Sequence, residues 1–175
     1  MTNVFLTPWA TPFELPPFDQ IRDADFMAAF EAGLAEARAA VAAITSNPEA
    51  PTFANTIEAL ELAEETLSRV AGVFYNLAGA DSNPAREALQ RDLAPVMAAW
   101  NSERALNPAL FARIEALWAG RDTLALSPDQ ARLLLLYRRG FVRAGAALDG
   151  DCVVGARRLI GILSSKAVSA ATYYN

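Results

Sequence analysis

Pro51-Thr52-Phe53-Ala54-Asn55-Thr56-Ile57-Glu58-Ala59-Leu60-Glu61 is the stretch whose reading decides the fold. It opens on a proline and offers Thr52 or Asn55 as a side-chain acceptor for an orphan backbone N–H. It then moves directly into helical spacing. Such a cap contributes about 1 kcal/mol. From Ile57 the face continues through Leu60, Leu67, Val70, Phe74 and Leu77, with Ala63 and Glu64 across its middle. Glu58, Glu61 and Glu65 fall on or beside the other face. One long helix is predicted here, closed by Gly79 and by Asn83-Pro84, where the next begins.

The same pattern extends both ways. Upstream, Phe26, Phe30, Leu34, Ala37, Val41 and Ile44 form one apolar face, with Asp23 as the predicted N-cap and Asn47-Pro48 as the stop. Downstream, Leu89, Leu93, Val96, Met97 and Trp100 mark a helix interrupted by Pro95, so a kink is expected around Arg91 to Pro95. Asn107-Pro108 and Ser127-Pro128 each pair a cap with a proline at the first helical position. Leu110, Ile114, Leu117 and Trp118 form the fourth face, and Leu133, Leu136, Tyr137 and Phe141 the fifth. No strand-like alternation or hairpin signal interrupts the series. The predicted fold is all-α: an antiparallel helical bundle of about five to six helices with an extended proline-rich N-terminal arm.

That arm is residues 1–18. Pro8, Pro12, Pro16 and Pro17 prevent a regular helix, while Trp9, Phe13, Leu15 and Phe18 are expected to lay the arm over the helical body or over a further part of the parent protein. Residues 19–149 read as the helical domain. Residues 150–175 differ in character. The first 150 residues carry a net charge of −7 and the last 25 a net charge of +2, with the lone cysteine and the lone lysine in the tail. Leu159, Ile162, Leu163 and Ala167 give that tail a helical spacing.

Composition excludes several function classes. The chain has 175 residues, 53% of them hydrophobic and 9% aromatic, and a net charge of −5. Its arginines are scattered with no basic stripe, which argues against nucleic acid as a partner. Trp9, Trp100 and Trp118 are better packing anchors than base-stacking platforms. No run of apolar residues reaches the ~20 needed to span a bilayer. The N-terminus lacks a positive region and is broken by Pro8, so no signal peptide is expected there. A cytoplasmic protein without membrane contact is expected. Cys152 alone supports neither an internal disulfide nor a metal cluster.

Several segments in order resemble one family. They are Leu15-Pro16-Pro17-Phe18-Asp19-Gln20-Ile21 followed by Phe26 and Ala29-Phe30-Glu31, the Pro51–Glu61 stretch, and Val73-Phe74-Tyr75-Asn76-Leu77-Ala78-Gly79-Ala80-Asp81-Ser82-Asn83. Leu106-Asn107-Pro108-Ala109-Leu110-Phe111 and Arg139-Gly140-Phe141-Val142-Arg143-Ala144-Gly145-Ala146-Ala147-Leu148 follow. Together, over about residues 3–149, they resemble the N-terminal region of the thimet oligopeptidase family of zinc metallopeptidases, which includes oligopeptidase A and peptidyl-dipeptidase. The resemblance implies hydrolysis of short peptides in the full-length relatives, with zinc held far downstream on an H-E-x-x-H helix.

This chain contains no histidine. No catalytic, cofactor-binding or metal residue of the family therefore maps onto any position here, and this chain is expected to hold no zinc of its own. After Leu148 the sequence leaves the family's pattern at Asp151-Cys152-Val153-Val154-Gly155. The expectation is a region truncated or frame-shifted before the zinc site and inactive alone. The alternative is a non-catalytic helical interaction module that self-associates through exposed apolar faces. Glu58, Glu61, Glu64 and Glu65 are expected to form a solvated face rather than a carboxylate site. Cys152 lacks a histidine base and reads as a bystander. Phe74 belongs in the core; Tyr75 and Asn76 point elsewhere and stay open.

Overall fold

A computed structural model describes residues 3–148. The tail at 150–175, with Cys152, lies outside the described residues. Within them the chain is all-α, with no strand.

Helix α1 runs Asp23–Ser46 and buries the whole predicted face, Phe26 through Ile44. Its N-cap is Arg22 rather than Asp23. The Arg22 backbone N–H donates to Asp25 Oδ2 at 3.0 Å, which releases Asp23 for a tie to a later helix.

The single helix expected from the signature stretch is divided. Phe53–Glu58 forms a π-helical turn, Ala59–Leu62 a short helix α2, and Glu65–Ala80 the separate helix α3. The break falls at Ala63 and Glu64, where Glu64 leaves helical geometry (φ −117°, ψ 22°). Two contacts fix it. The Glu64 carboxylate accepts from Trp100 Nε1 at 2.8 Å and from Arg104 at 2.7 Å. Leu67, in the first turn of α3, sits over Gly33, where a Cβ would lie 3.0 Å from the Leu67 backbone. Apolar periodicity continues across the break, so spacing alone reads as one helix.

Helix α4 spans Pro84–Ala105, capped by Asn83. It remains one element across Pro95, which lies on its exposed side, so the expected kink does not divide it. Helix α5 spans Pro108–Gly120, and α6 spans Pro128–Ala144. Both proline starts are capped as predicted. Asn107 Oδ1 accepts from the Leu110 N–H, and Ser127 and Gln130 exchange two bonds in a capping box. Helix α6 ends at Gly145 in the left-handed region (φ 100°), the conformation that favours glycine.

The core lies where α1 meets α3, α2, α4 and α5, and α6 packs on α5. Phe5, Phe26, Phe30 and Phe74 join at its centre with ring centroids 5.1–5.6 Å apart. On α6 the buried residues are Leu134 and Phe141, seven positions apart, whereas Leu136 is 43% exposed. Leu133 and Tyr137 pack half-buried against the core, so three of the four expected positions hold, and Leu134 takes the place expected of Leu136.

The N-terminal arm is less extended than predicted. It makes two short 3-10 turns, Val4–Leu6 and Pro12–Glu14. Its anchor is Phe5, fully buried, which the proline-centred reading passed over. Arg69 donates to the Phe5 carbonyl at 2.6 Å and lies over the Trp9 ring. Trp9 packs on the core as expected, while Phe13, Leu15 and Phe18 are exposed.

Candidate functional site

The signature stretch folds around one side-chain oxygen. Asn55 Oδ1 accepts from the Thr52 N–H at 2.8 Å, from the Thr56 hydroxyl at 2.9 Å and from Arg113 at 2.8 Å. Thr52 Oγ1 in turn accepts from the Asn55 N–H at 3.0 Å, and Asn55 Nδ2 donates to the Ala50 carbonyl at 3.1 Å. Thr52 and Asn55 thus both cap, as a reciprocal pair.

Arg113 of α5 locks this turn to the end of α1. Its guanidinium also donates to Thr56 Oγ1 at 3.3 Å and to the carbonyls of Asn47 and Glu49 at 3.1 and 3.3 Å. The residue is only 8% exposed, and every one of these acceptors is uncharged. Asn47 is the C-cap of α1, so the cation sits at the negative end of that helix's dipole. A guanidinium has donors and no acceptor, and this one spends four hydrogen bonds on these oxygens, so the arrangement binds segments together and offers no base or nucleophile. Sequence reading missed Arg113. The available signal was its register: it falls between Leu110, Ile114 and Leu117, inside the apolar stripe of α5.

The four glutamates considered in the sequence separate. Glu58 and Glu65 are solvated, whereas Glu64 is half-buried against Trp100 and Arg104. Glu61 accepts from the Tyr137 hydroxyl at 2.5 Å. Burial, then the hydrogen bond and charge of Glu61, push the Tyr137 phenol far above its ordinary range, so it remains a neutral donor. No three His, Cys, Asp or Glu side chains gather as a metal site among the described residues. Phe74 is core as predicted, while Tyr75 and Asn76 are exposed.

Trp100 is buried, and Trp9 and Trp118 are half-buried. Each has an arginine over its ring: Arg38 at Trp100, Arg69 at Trp9, and both Arg121 and Arg138 at Trp118. Those contacts fit packing anchors. Beside Trp118, between the end of α5 and the start of α6, lies a pocket of about 390 Å³ walled by Leu126, Leu134 and Leu135. No helix among the described residues is long and apolar enough to cross a membrane.

No protein-family model matches the chain. Over 147 residues it is 37% identical to a dipeptidyl carboxypeptidase of Salmonella typhimurium, an alignment that takes in 84% of this chain and 22% of that protein. A dipeptidyl carboxypeptidase of Escherichia coli is 38% identical over 146 residues, covering 83% of this chain and 21% of the relative. The chain thus spans about a fifth of the length of the curated relatives it matches. In line with the resemblance carried by its signature stretch, the sequence fits a partial N-terminal portion of the peptidyl-dipeptidase family.

Proposed function

We propose that residues 19–149 serve as the N-terminal helical domain of a dipeptidyl-carboxypeptidase-like peptide hydrolase, acting in the cytoplasm on short peptides. The observation that carries this reading is identity of 37–38% across more than four-fifths of the chain. The domain's contribution is architectural. It supplies a rigid set of helices, tied at the signature turn by Arg113, against which the remainder of a peptidase can be positioned.

The family resemblance implies zinc, and the residues here do not suit it. Histidine is missing from the whole sequence, and the carboxylates of Glu58, Glu61, Glu64 and Glu65 are engaged separately, with Tyr137, with Trp100 and Arg104, or with solvent. No catalytic step is therefore assigned to these residues. We place the hydrolytic chemistry outside these 175 residues, and expect the chain to be inactive alone.

Two assays test this. Residues 3–148 are grafted in place of the matching segment of the Escherichia coli dipeptidyl carboxypeptidase, and hydrolysis of a quenched short peptide is measured. An active chimera is expected; a folded but inert one argues against the assigned role. The unmodified chain, assayed with added zinc, should give no turnover. Chelator-sensitive hydrolysis intrinsic to it would place the chemistry on these residues after all.

A further inference from the structure

The arm carries a side chain that its own molecule leaves uncovered. Phe13 is 94% exposed, more than any other large hydrophobic residue described. It is held out rather than loose. Phe13 and Glu14 both lie in the left-handed region, with φ of 58° and 54°, which residues with a Cβ seldom adopt. The turn closes through Glu14 N–H to the Thr11 carbonyl at 3.0 Å, Leu15 N–H to the Pro12 carbonyl at 3.3 Å, and the Thr11 hydroxyl to the Leu15 carbonyl. Pro12, Pro16 and Pro17 restrict the backbone around it. The result is a pre-set aromatic hook with a carboxylate next to it, and little ordering is needed to dock it.

The α5–α6 pocket has the complementary form. Trp118, Leu126, Leu134 and Leu135 wall a space of about 390 Å³. A cavity of ~150 Å³ already holds a benzene ring. Arg121 stands at the mouth; one of its amino groups donates to the Trp118 carbonyl at 2.8 Å, and the other is ion-paired with Asp122 at 3.6 Å, too far for a hydrogen bond. That leaves donor capacity for an incoming carboxylate, and Asp122 at the same mouth weakens the attraction without abolishing it. An exposed Phe13 does not fill its own molecule's pocket.

We propose that Phe13 and Glu14 of one molecule dock into the α5–α6 pocket of a second copy, with the ring among the leucines and the carboxylate on Arg121. Hook and pocket are different surfaces, so the contact is head-to-tail and allows chains longer than a dimer. It is independent of the peptidase reading.

The test is sedimentation velocity of the full chain over a concentration series. Phe13→Ser removes the hook, and Ala131→Trp fills the pocket from an exposed lining position. The unaltered chain should associate, and each variant alone should bind about thirtyfold more weakly, as on loss of a central anchor. Mixed together, the two variants should form a one-to-one dimer and nothing larger, because one intact hook then meets one intact pocket. Circular dichroism checks that both retain their helices. A chain that stays monomeric at all concentrations, a Phe13→Ser variant that associates like the parent, or a mixture that stays monomeric each overturns the proposal.

Discussion

The two ends of α1 are each gripped by an arginine from a later helix, and by opposite means. At the C-terminal end, Arg113 is buried and meets only uncharged oxygens: the Asn47 and Glu49 carbonyls, Asn55 and Thr56. At the N-terminal end, Arg86 of α4 donates to Asp23 at 2.7 Å and to the Asp81 carboxylate at 3.0 Å, with Asp81 largely in water. The cation at the C-terminus and the Asp23 carboxylate at the N-terminus both complement the α1 dipole. The buried tie depends on geometry, and the outer tie depends on charge. They should therefore fail under different perturbations.

Removing the buried tie should have the largest effect. Arg113→Ala deletes one cation and leaves four acceptors short of a donor, at a cost of about 3 kcal/mol or more in urea unfolding. Arg113→Met restores most of the packed volume but none of the donors, and should recover less than half of that loss. Neither cost should change with salt. A salt-sensitive loss, or full rescue by methionine, would mean that the tie works by charge or by packing instead.

Between the two ends, α1 and α3 meet at Gly33. An added Cβ would sit 3.0 Å from the Leu67 N and Cα, backbone atoms that cannot turn aside. Gly33→Ala should cost about 1–2 kcal/mol, the overpacking penalty reduced by alanine's better helix propensity. Gly72, on the exposed side of α3, is the opposite case, since a Cβ there meets nothing within 4 Å. Gly72→Ala should stabilise by about 0.5–1 kcal/mol. Thermal melts of the two variants should shift in opposite directions; a shared direction would show that packing at Gly33 does not decide the α1–α3 seam.

What the sequence made legible follows the same division between periodic and long-range information. Helix starts at Asn107-Pro108 and Ser127-Pro128, the buried face of α1 and the core position of Phe74 are written in local spacing and capping chemistry. The break at Glu64 was not legible, because its causes, Trp100, Arg104 and Gly33, lie more than thirty residues away. On α6 only Leu136 was misplaced, with Leu134 buried in its stead, since spacing alone does not choose among four consecutive leucines, Leu133 to Leu136. Phe5 was passed over because the neighbouring prolines suggested an arm without a buried anchor. At the candidate site the motif was visible as a cap, but its function as a clamp required Arg113, whose partners lie 57 to 66 residues away.

The outer tie supplies the smallest effect and the one that depends on pH. Partial burial raises the Asp23 pKa, but hydrogen bonds from Asn83 at 3.0 Å and from Arg86, together with the Arg86 charge, more than offset this and leave it below the ordinary range. A carboxyl group whose folded pKa is depressed stabilises the fold above its unfolded pKa, near 3.9, and loses that contribution as pH falls through the folded value. Because Asp23 is partly solvated, the contribution should be under about 1 kcal/mol and should shrink with salt. Urea unfolding at pH 7 and at pH 3 should therefore show a smaller pH difference for Asp23→Asn than for the parent chain. The same comparison for Arg113→Met should leave the parent's pH difference intact, since no titrating group touches that guanidinium among its hydrogen-bond partners. Loss of the pH difference in Arg113→Met, with its retention in Asp23→Asn, would reverse which end of α1 is held by charge.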